Sequence, residues 1–301
     1  MKYIHTFWSK PLVEKKFADY NTSLIITLTT YTYSVECVHK LGEIIELYTD
    51  EFGAELLSFI PYDKVHIING LDNENIHFAA QIKFHALKNC ELGDILIDGD
   101  LFLRKPEANN IIKLCVNQGH DLVYSFFEPP EFTLNTEEKF NLNTNSIKKI
   151  KENNIVFEEP FYWPFRYEDY AWMNCSLMSF NNQELKDKYI EQYFKHKELL
   201  NDIDWGKIWP DIVIEQRFLT LLCEKYNTKP IFEDFYFNPK TESEALLIGF
   251  THLGSIKYVF HNTLVSIIKK EKPLLLNNII AQVNKYKKEI FKDWFCIIFF
   301  T

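Results

Sequence analysis

The chain has 301 residues, 47% hydrophobic, 16% aromatic and 25% charged, which suits one large core and excludes a disordered chain. A formal net charge of −9, with no stretch that gathers enough Lys and Arg to neutralise a phosphate backbone, argues against a nucleic-acid partner. Six scattered cysteines without a CxxC pair give neither a disulfide framework nor a zinc site, and fit reduced thiols in a cytoplasm.

The opening MKYIHTFW is rich in β-formers and reads as a strand from Lys2 to Trp8, not as the basic and apolar parts of a leader. Leu24 to Thr30 looks extended. Tyr33, Cys37, Val38 and Leu41 then recur at helical spacing, so a helix is expected from about Thr29 to Gly42. A strand over Ile44–Tyr48 follows, then a helix from Asp50 to Phe59, a strand over Val65–Ile68 and a helix over Ile76–Cys90. After the next strand, Ile95–Ile97, come a helix over Glu107–Gln118 and a strand over Asp121–Phe126. This alternation predicts an α/β sheet with mostly parallel strands. Glu128 to Tyr170 has no period, is rich in Asn and Glu, and ends in the aromatic run Phe161-Tyr162-Trp163-Pro164-Phe165-Arg166-Tyr167. A strand over Met173–Phe180 and helices over Asn182–Leu200 and Ile212–Lys225 are expected beyond it. The tail from Leu274 holds one amphipathic helix, and no apolar run is long enough to cross a bilayer.

The stretch richest in chemistry is Gly93-Asp94-Ile95-Leu96-Ile97-Asp98-Gly99-Asp100-Leu101-Phe102-Leu103. A buried strand ends in two aspartates, and burying both is costly unless a cation lies between them. Two hard oxygen ligands at that place suit Mg²⁺ or Mn²⁺. His252 can add a neutral imidazole, which favours Mn²⁺. Thr6 and Trp8 at the end of the first strand, and Asp50 at the end of the second, would flank a nucleotide base: aromatic stacking beside a carboxylate acceptor. Taken singly, Asp50 reads better as a helix N-cap.

Together these features resemble a GT-A-fold nucleotide-sugar glycosyltransferase, over His5 to about Lys257. The Asp98-Gly99-Asp100 box is similar to that group's D-x-D motif, in which the aspartates hold a divalent ion that bridges the donor phosphates. Asn174-Cys175-Ser176, followed by Glu215-Gln216 opening a helix, is similar to the Asn-x-Gly strand and acidic-Gln helix of retaining family 8 enzymes. Thr251-His252-Leu253-Gly254-Ser255-Ile256-Lys257 resembles their His-x-x-Gly-x-x-Lys, with one residue fewer between His and Gly. The resemblance implies a Rossmann-type mixed sheet and a metal triad of Asp98, Asp100 and His252. It implies Lys257 on the diphosphate. Lys83, on the helix leading into the central strand and beside its apolar face, reads as a cation for the donor phosphate or sugar, with a surface role as the alternative. Gln216 would lie beneath the anomeric carbon of a retaining enzyme, and Glu168, Asp169 and Asp211 are the candidate bases of an inverting one. The expected reaction moves a hexose from a nucleoside-diphosphate sugar, UDP foremost, to a hydroxyl of a glycan or lipid-linked acceptor.

The expected layout is a catalytic domain over 1–270, with a nucleotide-sugar half (1–126) and an acceptor half (127–270), then a helical tail over 271–301. In the tail, Ile290, Phe291, Trp294, Phe295, Ile298 and Phe299 recur at helical spacing beside Lys285, Lys287, Lys288 and Lys292, a pattern for peripheral contact with a membrane's inner face. Burial of the same face against the core is the competing reading. Two rival functions stand beside the transferase. Ile-Leu-Ile-Asp-Gly-Asp also resembles the first motif of haloacid-dehalogenase-type phosphatases, with Asp98 as nucleophile, although no later Asp-Asp pair follows. The other rival is a catalytically inactive glycan-binding protein on the same fold.

Overall fold

A computed structural model describes residues 1–14, 20–128, 137–158, 172–206, 208–211, 213–233, 239–254 and 257–287. Its frame is an eight-stranded mixed sheet. Strands β1 (Tyr3–Phe7), β2 (Ile45–Thr49), β3 (Lys64–Ile67) and β4 (Ile95–Ile97) are parallel, in the spatial order β3-β2-β1-β4. On the far side of β4 lies antiparallel β8 (Leu177–Phe180), then β6 (Leu122–Glu128), and β9 (Thr228–Phe232) pairs parallel to β6. The short β7 (Trp172–Met173) pairs with the far end of β6. A separate two-stranded ribbon joins β5 (Leu101–Leu103) antiparallel to β10 (Phe250–His252).

Alternate residues of the central strands feed two cores. Tyr3, Phe7, Ile45, Leu47, Ile95 and Ile97 meet α2 (Tyr20–Lys40), while Ile4, Tyr48 and Leu96 share the other core with α4 (Gln81–Asn89) and α7 (Gln183–Leu200). Helices therefore cover both faces, as a parallel sheet requires. On the first face α11 (Pro273–Tyr286) buries Leu276, Ile279 and Val283 in the same core as α2.

Several expected elements change. The extended reading of Leu24 to Thr30 is corrected: it belongs to α2, in which Leu24, Ile25, Ile26 and Leu28 are all buried, so no charged face marks this stretch. Within Glu128–Tyr170, residues Glu137–Glu152 form α6, which buries Ile147 and Ile150. The strand expected over Met173–Phe180 breaks at Asn174, whose Oδ1 accepts from Ser176 N (2.9 Å) and Ser125 Oγ (2.8 Å), bending the chain between β7 and β8. The helix expected over Ile212–Lys225 opens as a π turn, Val213–Arg217, before α8 (Phe218–Leu222).

Candidate metal and phosphate site

The chain leaves β1 at the centre of the parallel region, adds β2 and β3 on one side, and returns to add β4 on the other. That reversal puts the topological switch point between the carboxyl ends of β1 and β4, where open α/β sheets form their ligand crevice. Asp98 directly follows β4. Its N–H donates to Ser176 O (2.8 Å), and the turn closes when Leu101 N donates to Asp98 O (3.0 Å). Glycine at 99 is required by close approach, because a Cβ there would lie 2.3 Å from the Tyr31 ring. Tyr31 in turn donates to Thr6 O (2.6 Å), tying the aspartate turn to the end of β1.

The ribbon brings in the third donor. Leu101 lies opposite His252, and Leu253 N donates to Asp100 O (3.1 Å). His252 Nε2 is then 3.7 Å from Asp100 Oδ1, and one ligand atom each from Asp98, Asp100 and His252 fall within 4.8 Å of one another. A small divalent ion with bonds of about 2.1 Å spans about 3 to 4 Å between its ligands, so small side-chain rotations close the triad. Two carboxylates and one imidazole form a donor set that suits Mn²⁺.

Each aspartate also meets an ammonium group. Lys257 Nζ is 2.9 Å from Asp100 Oδ2. Lys83 Nζ lies 2.9 Å from Asp98 Oδ1 and 2.8 Å from Glu215 Oε1, and it donates to Cys175 O (3.3 Å). Burial pushes the Asp100 carboxyl up, but Lys257 and His252 outweigh it and hold its pKa below the ordinary value. Burial pulls Lys83 down, yet Asp98 and Glu215 keep it well above the usual lysine range. Both groups are therefore charged at neutral pH. The Asp98 side chain is 31% exposed and that of Asp100 only 7%, so the turn presents one open carboxylate and one enclosed one.

Gln216 sits in the π turn that carries Glu215, a wide helical turn of the kind found at functional sites. Its Oε1 is buried and accepts no hydrogen bond among the described residues. Trp8, packed on Leu71, Ile76 and Ile82, likewise has an indole N–H with no acceptor among them. Thr6 is buried in β1 and offers its carbonyl to Tyr31. Asp50 caps α3 (Glu51–Leu56), accepting from Gly53 N (3.1 Å), Ser9 N (3.1 Å) and Ser9 Oγ. With both oxygens engaged, it acts as a helix cap and loop anchor.

Asp211 is turned inward as well: it accepts from Ala80 N (2.7 Å), one residue before α4, and from Tyr193 Oη (2.8 Å). Glu168, Asp169 and the 161–167 aromatic run lie outside the described residues. Two residues have roles that the sequence does not show. Glu215, expected to open a helix, is a full partner of Lys83. Tyr31 gave no signal, since its task is to face a glycine that is 68 positions away, Gly99.

The chain belongs to the family of unknown function DUF6734, whose model matches residues 1–295. No curated protein and no solved structure matches it.

Proposed function

We propose that the chain is a metal-dependent glycosyltransferase of GT-A-like fold. It would move a hexose from a nucleoside-diphosphate sugar, UDP foremost, to a hydroxyl of a glycan or lipid-linked acceptor. One observation carries the reading: Asp98, Asp100 and His252 converge at the switch point of the sheet, with Lys257 beside them. Three ligands and an adjacent phosphate-binding cation form a set that handles a diphosphate leaving group. The Rossmann-type first half and the antiparallel β8 against the Asp98 strand are in keeping with that fold.

Asp98, Asp100 and His252 would hold Mn²⁺ (or Mg²⁺), which when bound supplies Lewis-acid stabilisation of the departing diphosphate. Lys257 reaches the same charge as a mobile point donor, its side chain 33% exposed. Lys83, fixed between Asp98 and Glu215, presents a cation to the donor sugar or phosphate and holds the π turn against the aspartates. The buried Gln216 Oε1, on the same π turn, would be the polar group beneath the anomeric carbon. Asp211, with both oxygens engaged, is the poorer candidate for a base. The Trp8 indole N–H is a donor for the nucleoside. Among the described residues no helix is long and apolar enough to cross a membrane.

A thermal-shift matrix of Mn²⁺, UDP and the two together, followed by a donor-hydrolysis screen, tests this. Stabilisation by the pair well beyond either component supports the transferase. Phosphate release from p-nitrophenyl phosphate with Mg²⁺, without any response to UDP, would replace it by the phosphatase reading. Binding of glycan with no response to metal or nucleotide would replace it by the inactive one.

A further inference from the structure

His5 is wholly buried in the middle of β1, where an apolar residue would serve the core. Its two nitrogens are both engaged: Nδ1 lies 2.9 Å from Tyr62 Oη and Nε2 lies 3.1 Å from Ser34 Oγ. Ser34, itself fully buried on α2, donates its one hydroxyl proton to Leu101 O at 2.7 Å. It has no proton left for His5, so Nε2 must carry the hydrogen and donate. In a neutral ring Nδ1 is then bare and accepts from Tyr62 Oη. Burial depresses the ring's pKa to about 3 despite the nearby charge of Asp100, so this single tautomer persists at physiological pH. The direction of donation is fixed from end to end: Tyr62 to His5, His5 to Ser34, Ser34 to Leu101.

The end of that chain matters because of where it stops. Asp100 O bonds toward β10, through Leu253 N, so the next carbonyl along β5, that of Leu101, points away from the ribbon. Leu101 is fully buried, and without Ser34 its oxygen would be an unmet acceptor. β5 is therefore held from two sides: β10, which carries His252, and the polar chain, which ends one residue beyond Asp100. The His5 ring also packs edge-on against Tyr31 at 5.2 Å, the same ring that lies over Gly99.

We propose that His5 is a positioning residue which, through Ser34 and Leu101, fixes the Asp100 carboxylate opposite His252. The proposal rests on the metal reading above, and a metal-free measurement separates the two. The probe is Mn²⁺ alone, followed by electron paramagnetic resonance, alongside amide exchange at Leu253 N–H, whose acceptor is Asp100 O.

The informative pair is His5→Leu and His5→Gln, similar in volume but differing in polarity, since Gln can both accept from Tyr62 and donate to Ser34. His5→Leu should weaken Mn²⁺ about tenfold or more, the usual effect of losing an outer partner of a ligand. It should also speed exchange at Leu253 by a similar factor, and His5→Gln should restore most of both. Ser34→Ala breaks the same chain one link later and gives the answer if His5→Leu does not fold. Wild-type affinity and exchange in folded His5→Leu or Ser34→Ala would overturn the proposal, as would equal losses in the Leu and Gln variants. Should the wild-type protein fail to bind Mn²⁺, the metal reading falls and Leu253 exchange alone decides whether His5 positions the turn.

Discussion

Asp100→Asn keeps the side chain's size and removes one formal ligand charge, so it separates the metal role from a structural one. In the ion-free protein it removes the charge that pairs with Lys257 at 2.9 Å. Because the lysine side chain is 33% exposed it can turn into water, and the neutral amide no longer carries the burial cost of a charge. These effects oppose each other, leaving a net change within about 1 kcal/mol. For a chain of this length that is roughly 2 °C in Tm. With metal the outcome is larger: at a hundred times its Kd, Mn²⁺ stabilises the wild-type protein by about 2.7 kcal/mol, or roughly 4 °C. A variant that binds a hundredfold more weakly keeps only about 0.4 kcal/mol at the same concentration. Differential scanning fluorimetry over a Mn²⁺ titration, with an EDTA baseline, reads both quantities, and donor hydrolysis should be lost in parallel. A Mn²⁺-dependent rise in Asp100→Asn equal to that of wild type would refute the site. A metal-free Tm lower by more than about 5 °C would mean that Asp100 is chiefly structural.

His252→Ala should weaken Mn²⁺ binding more than it lowers Tm; normal binding by a variant that melts early would make the histidine structural. Gly99→Ala drives a methyl group into Tyr31 and should cost about 1–3 kcal/mol in urea unfolding, so an unchanged midpoint would contradict the packing described. Asp211 supplies a pH test: burial pushes its carboxyl up to about 8, and Glu215 adds to this, against the pull of the Ala80 and Tyr193 hydrogen bonds. The folded state then holds a proton that the unfolded chain releases near pH 4, so this group makes stability fall as pH rises from about 4 to 8. Asp211→Asn, which still accepts from Ala80 N, should flatten that part of a Tm-against-pH curve, and an unaltered slope would dismiss the shift. For the tail, a chain ending near Lys288 should stay folded and lose vesicle co-sedimentation if the last residues bind membrane. Aggregation, or a melt several degrees lower, would place them in the core instead.

The regular first half was legible because most of its strands are short runs of β-formers closed by a turn or cap, and the helices after β2 and β3 keep a recognisable start or period. The Asp-Gly-Asp turn was legible for the same reason, since a buried run ending in two carboxylates has few bland explanations. What could not be read is non-local. Leu24, Ile25, Ile26 and Leu28 are all buried in α2, so this stretch shows no charged face and its β-branched residues pass for a strand. β9 contains Pro230, which speaks against a strand in sequence and is tolerated here at the sheet's edge. β10 has three residues and exists only because β5 pairs with it. His252 and Lys257 were named through the spacing of a familiar motif; their approach to Asp100 is a property of that ribbon. The Lys83–Glu215 pair and the His5–Ser34 chain have no sequence signature, because each joins side chains whose types are ordinary where they stand.

That non-locality bears on how the site can form. Asp100 meets Lys257 across 157 positions, Lys83 meets Glu215 across 132, and Ala80 meets Asp211 across 131. The first half of the chain carries both aspartates but none of the groups that make their burial tolerable, apart from Lys83. On its own it would also leave the β4 edge open, since β8 comes from beyond residue 170. An enclosed Asp100 carboxylate beside an open sheet edge is an unstable combination, and closure of the long loop is the event that removes both faults at once. The candidate site is therefore not a feature grafted onto a finished nucleotide-binding half. It is completed when the second half docks, and a fragment ending near Phe126 should fail to fold in a way that added Mn²⁺ does not rescue.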